Sequence, residues 1–502
     1  MVKREILFLA ALTIFSVIFF TGADFYDMPF DGIADLLVLL MQLGVVAVAS
    51  FLFLWIISCN KYVFSAIFPI YALLGSVAAY FRFTANVTLT PMAIDLALVN
   101  DMSTTMDVVT WQLSCFVLMS IVLSVVAVVV RFRYVGFVYW HWQMLASVVV
   151  FAAYMSISRF GAPIRGRIPF VIYYAVEGYV ENRNIADANR PEFGGTPVCD
   201  SDTIDVVFIL GETLRAKNMQ INNYGRPTTP YLMRDTGVVS MSNIYSEHGF
   251  THTSVPYLLT RANPQHQDRA YRERSFIDIF RQAGFRTTWI ANQESVSTFA
   301  YFMEEADSLV YVNSGKSMYV FSEWLDGDLL PVLDEQIQSQ RLRPRRLFIL
   351  HTIGSHWWYK SHYPRSFARW KPELKSKVMS ANTHDEFVNS YDNTILYSDW
   401  FWNEVRNRFR DRNAVVIYLS DHSENLGEDG IYGHAQDAPA LHLPGCWVWM
   451  SNRYRLKYAD KWTALLANKD RRYNSDFLFH SIIAAGDIKT KYIEKQYDIF
   501  EK

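Results

Sequence analysis

Charged residues are scarce in this 502-residue chain. Only 19% of the residues are Asp, Glu, Lys or Arg, whereas an average soluble protein has roughly a quarter. Most of the deficit lies before residue 160, and the remainder has the composition of an ordinary soluble protein. The formal net charge is −2, so the balance of charge does not indicate nucleic acid as a partner.

Cysteine is also scarce, since the chain has only four. Cys59 and Cys115 lie in apolar runs, which predicts buried thiols. Cys199 and Cys446 lie in the polar part and could form one disulfide, but spacing alone does not establish it. Internal repeats and low-complexity tracts are absent as well.

Long apolar runs, in contrast, are abundant near the start of the chain. A membrane-spanning helix needs about 20 predominantly apolar residues. Five segments meet or approach that length, and the last contains His141 and Gln143 beside a group of Tyr and Trp residues typical of a membrane interface. The predicted spans are 5–22, 34–58, 62–83, 114–132 and 137–158.

Charge at the ends of these runs predicts their orientation. The basic residues at one side are Lys3, Arg4, Lys61, Arg131 and Arg133. The loops at the other side carry Asp24, Asp27, Asp31, Asp95, Asp101 and Asp107. By the positive-inside rule the N-terminus is cytoplasmic, and five crossings then place the rest of the chain outside. In a bacterium with two membranes this predicts an inner-membrane protein with a periplasmic domain.

The sequence predicts three parts: a transmembrane domain at 1–160, an amphipathic connector and linker at 161–203, and a catalytic domain at 204–502. In the last part, short apolar strands are expected at 204–210, 286–291, 346–350, 414–420 and 446–450. Helical stretches lie between them, including 273–284, 326–340, 384–409 and 474–485. This alternation favours an α/β sheet covered on both faces.

Polar side chains follow three of the predicted strands, where a parallel sheet collects its ligands. Glu212 follows the first strand, the segment 351–356 follows another, and Asp421-His422 follows a third. Each residue alone has an ordinary structural explanation, such as a helix cap or a surface histidine. Together, carboxylate and imidazole are suitable zinc ligands. Thr251 would be the hydroxyl that such a metal activates.

The chain resembles a known family at several motifs. They are GETLRAKNMQINNYGRPTTPYL, THTSVP, HTIGSH, NSYDNTILYSDWF and SDHSENLGEDGIYGH. In this order they resemble the bacterial phosphoethanolamine transferases, which belong to the alkaline phosphatase/sulfatase superfamily. The resemblance implies a five-helix transmembrane N-terminal domain plus an α/β periplasmic domain of alkaline phosphatase/sulfatase type.

The resemblance also implies the site and the reaction. The implied zinc ligands are Glu212, Thr251, Asp421 and His422; His356 and His434 would act on the phosphoryl group or hold a second zinc; Asn292 and Gln293 would contact the donor head group. Thr251 is the expected nucleophile, with Thr253 as the alternative. Zinc is the implied cofactor, with one ion expected and a second one open. Phosphatidylethanolamine would give its phosphoethanolamine to Thr251 and then to a membrane glycolipid or glycan acceptor such as lipid A or a core sugar, and a monomer is expected.

One feature departs from the better-known members, which carry a disulfide around the nucleophile segment. Glu247 and Tyr257 occupy the matching region here, and no cysteine is nearby. This leaves room for a branch that acts on other envelope glycans.

Three alternatives stay open. A phosphoglycerol transferase of the lipoteichoic acid synthase type shares the threonine and the SDH element. A sulfatase would need Cys or Ser before an xPxR motif, which THTSVPY does not offer. A non-enzymatic scaffold would not need the full set of site residues.

Overall fold

The computed structural model describes every residue except 1, 27, 29, 86–87, 92–93, 95–110, 187–189, 295–296, 317–321, 377–380 and 435–437. The acidic residues Asp27, Asp95, Asp101 and Asp107, which entered the orientation argument, lie outside the described residues. The chain forms two compact units. The first comprises Met1–Val180 with Ser314–Ser322 and Ser376–Ala381, and the second comprises the rest. The predicted boundaries at 160 and 203 stay predictions.

The first unit is helical because its apolar runs satisfy their backbone hydrogen bonds internally. Its helices are α1 (Val2–Phe19), α2 (Ile33–Cys59), α3 (Lys61–Ala85), α4 (Trp111–Arg133), α5 (Trp140–Met155) and α6 (Ser158–Arg165), and α7 (Phe170–Ala186) carries the chain into the second unit.

Four helices among the described residues are long and apolar enough to cross a membrane, and they correspond to the first four predicted spans. The fifth predicted span contains α5, which has only 16 residues. A helix of that length rises about 24 Å, which is less than the roughly 30 Å of a hydrocarbon core. The helix ends at Met155, and α6 begins three residues later, at Ser158.

The second unit is built on a sheet of seven strands in the order β3-β9-β8-β2-β7-β5-β6. The strands are β1 (Val198–Cys199), β2 (Ile204–Gly211), β3 (Val238–Ser240), β4 (Ile244–Tyr245), β5 (Arg286–Ala291), β6 (Ser308–Tyr311), β7 (Arg345–His351), β8 (Ala414–Ser420), β9 (Cys446–Met450), β10 (Tyr473–Asn474) and β11 (Ile488–Lys489). The five strands from β8 to β6 are parallel, whereas β9 and β3 are antiparallel to their neighbours. All five predicted strands are present.

Helices accompany this sheet. They are α8 (Pro230–Arg234), α9 (Thr251–Leu259), α10 (Arg269–Arg272), α11 (Phe276–Gln282), α12 (Ser297–Met303), α13 (Leu329–Ser339), α14 (His384–Phe409), α15 (Asn452–Lys457), α16 (Ala459–Asn468) and α17 (Phe477–Ala485). The strands β2, β8 and β9 are buried along their whole length. Near-continuous apolar strands of this kind are typical of a sheet covered on both faces.

An ion pair is buried at the amino ends of the central strands. Asp205 and Arg346 are register partners on β2 and β7. Nε and Nη2 of Arg346 donate to the two carboxylate oxygens of Asp205 at 2.6 and 3.0 Å, and Arg412 donates to the same carboxylate.

Cys199 and Cys446 are both buried free thiols. The disulfide that the sequence left open between them is therefore not formed in this structure.

Candidate active site

Strand register brings the first two candidate residues together at the carboxyl edge of the sheet. Gly211 on β2 pairs with Ser420 on β8, so Glu212 and Asp421, the next residues, leave the sheet side by side. Position 211 must be glycine, because a Cβ there would lie 2.3 Å from the Tyr418 hydroxyl.

Glu212, Asp421 and His422 form a compact group of potential metal ligands. Each offers one ligand atom, and these atoms all lie within 4.8 Å of one another. All three side chains are buried. Nδ1 of His422 lies 2.7 Å from the carbonyl oxygen of Ser423, so the N–H placed at Nδ1 donates to that carbonyl and leaves the lone pair of Nε2 towards the carboxylates.

The buried charges of this group favour a bound cation. Burial, and then the charge of Asp421, raise the pKa of Glu212. Among the described residues, no Arg or Lys forms an ion pair with either carboxylate, and the only basic side-chain atom within 4 Å of them is Nε2 of His422, at 3.5 Å from each. Oδ2 of Asp421 is buried without a hydrogen-bond partner. A divalent cation would satisfy this oxygen, and the oxygen and nitrogen donors present fit zinc.

Thr251 lies directly against this group. It is the first residue of α9, which begins after the extended residue Phe250. Its Oγ1 lies 3.1 and 3.2 Å from the two carboxylate oxygens of Glu212 and 3.2 Å from Nε2 of His422. The alternative residue, Thr253, donates instead to the carbonyl oxygen of Phe250 at 3.0 Å. The structure therefore brings Thr251, and not Thr253, into the cluster.

The start of α9 is tied to the end of β8. The hydroxyls of Ser254 and Ser246 both donate to the backbone carbonyl of Asp421, at 2.5 and 3.0 Å. The segment that carries Thr251 is thus held by hydrogen bonds in place of the disulfide of the family pattern.

Thr213 holds a strained backbone beside the cluster, and the sequence assigned it no role. Its φ is +58°, which a β-branched residue seldom adopts. Three hydrogen bonds hold it there: its N–H donates to Asp421 Oδ1 at 3.2 Å, its hydroxyl donates to Glu212 Oε1 at 2.6 Å, and its carbonyl accepts from the Tyr391 hydroxyl at 2.6 Å. The only signal in the sequence is its place after Glu212 in the GET motif.

His356 and His434 face each other beside the cluster. Their ring centroids lie 5.6 Å apart, and the His434 ring lies 5.1 Å from that of His422. Burial lowers the pKa of His356. Burial opposes protonation of His434 as well, but the hydrogen bond and the charge of Glu424 outweigh it and raise the pKa of His434 to about 9.

Glu424 orients His434, and the sequence did not single it out. It is completely buried. Its Oε2 lies 3.3 Å from Nδ1 of His434 and accepts the Tyr359 hydroxyl at 3.0 Å. A usable signal was its position in the acid-rich stretch after β8.

The two predicted head-group residues differ in their surroundings. Nε2 of Gln293 donates to Glu212 Oε2 at 3.1 Å, which places this side chain at the cluster. The Asn292 side chain is fully buried. Its amide donates to Asp326 at 2.9 Å, and its carbonyl accepts from Asn313 and Trp324 at 2.9 and 3.0 Å. A direct substrate contact by Asn292 stays a prediction.

Gly354 closes the site from the β7 side. Its φ is +54°, and a Cβ would lie 2.6 Å from the carbonyl oxygen of Glu212. The next residue, Ser355, donates its N–H to that same oxygen at 3.0 Å. The turn that carries His356 is therefore packed directly on the backbone of Glu212.

Comparison with known proteins identifies relatives of this chain. The chain is 34% identical over 271 residues to the Kdo(2)-lipid A phosphoethanolamine 7''-transferase of Escherichia coli strain K12, which covers 50% of this chain and 45% of the relative. The chain thus spans about half the length of the curated relatives that it matches first.

Two solved structures share the fold. One is the integral membrane protein lipooligosaccharide phosphoethanolamine transferase A (EptA) from Neisseria meningitidis, with a TM-score of 0.56, 22% identity, and coverage of 98% of this chain and 97% of the other. The other is the C-terminal periplasmic domain of EptC from Escherichia coli in complex with Zn, with a TM-score of 0.56, 21% identity, and coverage of 62% and 90%.

These findings confirm the resemblance to membrane phosphoethanolamine transferases that the motifs indicated. The fold combines apolar N-terminal helices with an α/β domain. The family model described as Sulfatase matches residues 204–488, which is more than half of the chain. The chain belongs to the sulfatase family.

Proposed function

We propose that this protein is a zinc-dependent transferase that moves phosphoethanolamine from phosphatidylethanolamine to a glycolipid or glycan of the bacterial envelope. The observation that carries the proposal is the position of the Thr251 hydroxyl, 3.1 to 3.2 Å from both oxygens of Glu212 and from Nε2 of His422. A threonine hydroxyl is a weak nucleophile unless a base or a metal lowers its pKa.

Glu212, Asp421 and His422 would hold the zinc ion, and Thr251 would complete its ligand set. When bound there, zinc supplies Lewis acidity and lowers the pKa of a hydroxyl beside it. The unpartnered Oδ2 of Asp421 supports this assignment. One ion satisfies these donors, and a second ion at His356 and His434 stays open.

The reaction has two displacements at phosphorus. Thr251 Oγ1 bonds to the phosphorus of the donor as the bond from phosphorus to the glycerol oxygen breaks, and diacylglycerol leaves with a proton. An acceptor hydroxyl then loses its proton and bonds to phosphorus as the bond to Thr251 breaks. His356 and His434 are the groups placed to move these protons and to stabilise charge on the phosphoryl oxygens.

The membrane helices support a lipid donor, because they keep the catalytic unit on the bilayer that contains it. We place the N-terminus in the cytoplasm, give the segment 137–158, which contains α5, the fifth crossing, and assign the catalytic unit to the periplasm. A cysteine introduced at an exposed position of the catalytic unit, such as Lys469, should react in intact spheroplasts with a thiol reagent that does not cross membranes. Labelling only after lysis would contradict this orientation.

The reaction is tested with the full chain in detergent and a head-group-labelled phosphatidylethanolamine. Without acceptor, the peptide that contains Thr251 should gain the mass of phosphoethanolamine, and Thr253→Ala should leave this adduct in place. Transfer to lipid A without any adduct on the protein, even in rapidly quenched samples, would contradict a covalent step.

The same assay separates the alternative donor. Phosphatidylglycerol is offered in place of phosphatidylethanolamine under identical conditions. An adduct with the mass of phosphoglycerol, formed faster than the phosphoethanolamine adduct, would favour a phosphoglycerol transferase.

A further inference from the structure

The first unit carries an apolar groove that the proposed reaction does not use. Its volume is about 700 Å³, which lies in the range of ligand pockets. It is lined by side chains of α2, α3 and α5 and of the start of α7, including Leu74, Phe151, Phe170 and Tyr174. Leu74 is 44% exposed and Tyr173, also in the lining, is 63% exposed. In the part of the first unit that the structure describes, no other segment packs over the exposed faces of Leu74 and Tyr173.

The segment that forms the α7 wall of the groove is fixed in place, because its opposite face packs against other helices of the first unit. Ile168 and Val171 are buried in a cluster with Phe20 and Ala79. Because one face of this segment is packed, Phe170, Tyr173 and Tyr174 are held on the groove side. The groove is therefore a formed feature of the packed helices.

A positive charge stands at the rim of the groove. The Arg165 guanidinium lies 5.1 Å from the ring centroid of Tyr174. Arg165 is exposed, and no carboxylate among the described residues forms an ion pair with it. Arg167 differs, since it is buried and donates to the carbonyl oxygen of Asp24 and the side chain of Gln42 at 3.3 and 3.1 Å. Arg165 is thus available to an external anion.

We propose that the groove binds one glycerophospholipid, with an acyl chain along Leu74 and Phe151 and the phosphate against Arg165. The apolar walls match a hydrocarbon chain, and a guanidinium binds a phosphate through charge-assisted hydrogen bonds. Tyrosine and arginine together are also typical of the level of the lipid head groups. The site goes beyond the proposed transferase reaction and does not depend on it.

The proposal is tested by native mass spectrometry of the full chain in detergent. Dioleoylphosphatidylglycerol is the probe, because it has a phosphate but is not the proposed donor; dioleoylglycerol, with the same chains and no phosphate, is the comparison. Wild-type protein should retain one phosphatidylglycerol and bind dioleoylglycerol more weakly. Arg165→Gln should weaken phosphatidylglycerol binding about tenfold and leave dioleoylglycerol binding unchanged.

A groove-filling variant tests the acyl site separately. Leu74→Trp should reduce binding of both lipids. The matched controls are Leu118→Trp and Arg133→Gln, which alter exposed residues on α4 away from the groove. Melting temperatures of all variants in detergent check that the fold is intact.

Three outcomes would overturn the proposal. Equal effects of Leu74→Trp and Leu118→Trp would indicate nonspecific lipid around the helices. Arg165→Gln without effect on phosphatidylglycerol would remove the phosphate contact. Wild-type protein that retains no phosphatidylglycerol would show that the groove does not bind this lipid.

Discussion

The two ends of the central sheet both bury carboxylates, but they neutralise them in opposite ways. At the amino end, Asp205 accepts two hydrogen bonds from Arg346 and a further one from Arg412. At the carboxyl end, the carboxylates of Glu212 and Asp421 lie close to each other and to the His422 ring, with ligand atoms within 4.8 Å of one another. Buried charge is costly unless it is paired. The amino end is therefore neutralised by the protein's own cations, and under the proposed function the carboxyl end would be neutralised by a bound zinc ion.

The largest effect should come from Thr251→Ala. Removal of the nucleophile should reduce transfer by at least about a thousandfold, and the melting temperature should change little because Thr251 lies at the start of a helix. Turnover is measured with the labelled donor. Thr253→Ala is the matched control and should keep most of the activity. If Thr251→Ala turned over like wild type, the nucleophile would have to lie elsewhere.

Metal removal should affect the carboxyl end of the sheet and leave the ion pair at the amino end unchanged. A chelator should abolish transfer and lower the melting temperature, because a ligand present at 1,000 times its Kd stabilises by about 4 kcal/mol. Added zinc should restore both properties. Activity that persists after exhaustive chelation, in protein shown to be metal-free by elemental analysis, would contradict the metal assignment.

Arg346→Met, at the amino end, should lower the free energy of unfolding by about 3 kcal/mol. The change leaves the buried carboxylate of Asp205 with the half-exposed Arg412 as its only basic partner. The free energy of unfolding is measured by denaturant titration of the full chain in detergent. Zinc should stabilise the variant and the wild type by the same amount, so the difference of about 3 kcal/mol should persist at saturating zinc. A difference that disappears when zinc is added would contradict the independence of the two ends.

The smallest effect is expected for Glu212→Gln in metal-free protein, and this change should stabilise the fold, whereas the changes above destabilise it or reduce activity. Removing one of two adjacent buried carboxylates relieves their repulsion and should raise the free energy of unfolding by about 1 kcal/mol. With zinc present, the same change should destabilise relative to wild type. Destabilisation in both conditions would mean that Glu212 is primarily a structural residue.

Much of the sheet could be predicted because its central strands are continuous apolar runs. The predicted 414–420 and the observed Ala414–Ser420 coincide. The outer strands β3 and β6 were missed, since they have three and four residues and are only partly buried. Such short segments form strands because the neighbouring strand offers free backbone groups for hydrogen bonding. Their own residues therefore give little indication of a strand.

The site could be predicted where a residue follows a strand. Glu212, Asp421 and His422 are in that class, and motif resemblance added Thr251. Glu424 could not be assigned a role, because its function depends on a contact with His434 ten residues away across a turn. Asn292 and Gln293 are adjacent in sequence, but the direction of each side chain, towards Asp326 or towards Glu212, is set by packing.

The left-handed backbone at Thr213 has a consequence for how this protein can be stabilised. A residue in that conformation costs of the order of 1–3 kcal/mol, and glycine would remove the cost. Glycine would also remove the hydroxyl that donates to Glu212. Selection for thermal resistance alone would therefore favour Thr213→Gly, and selection for turnover would restore threonine.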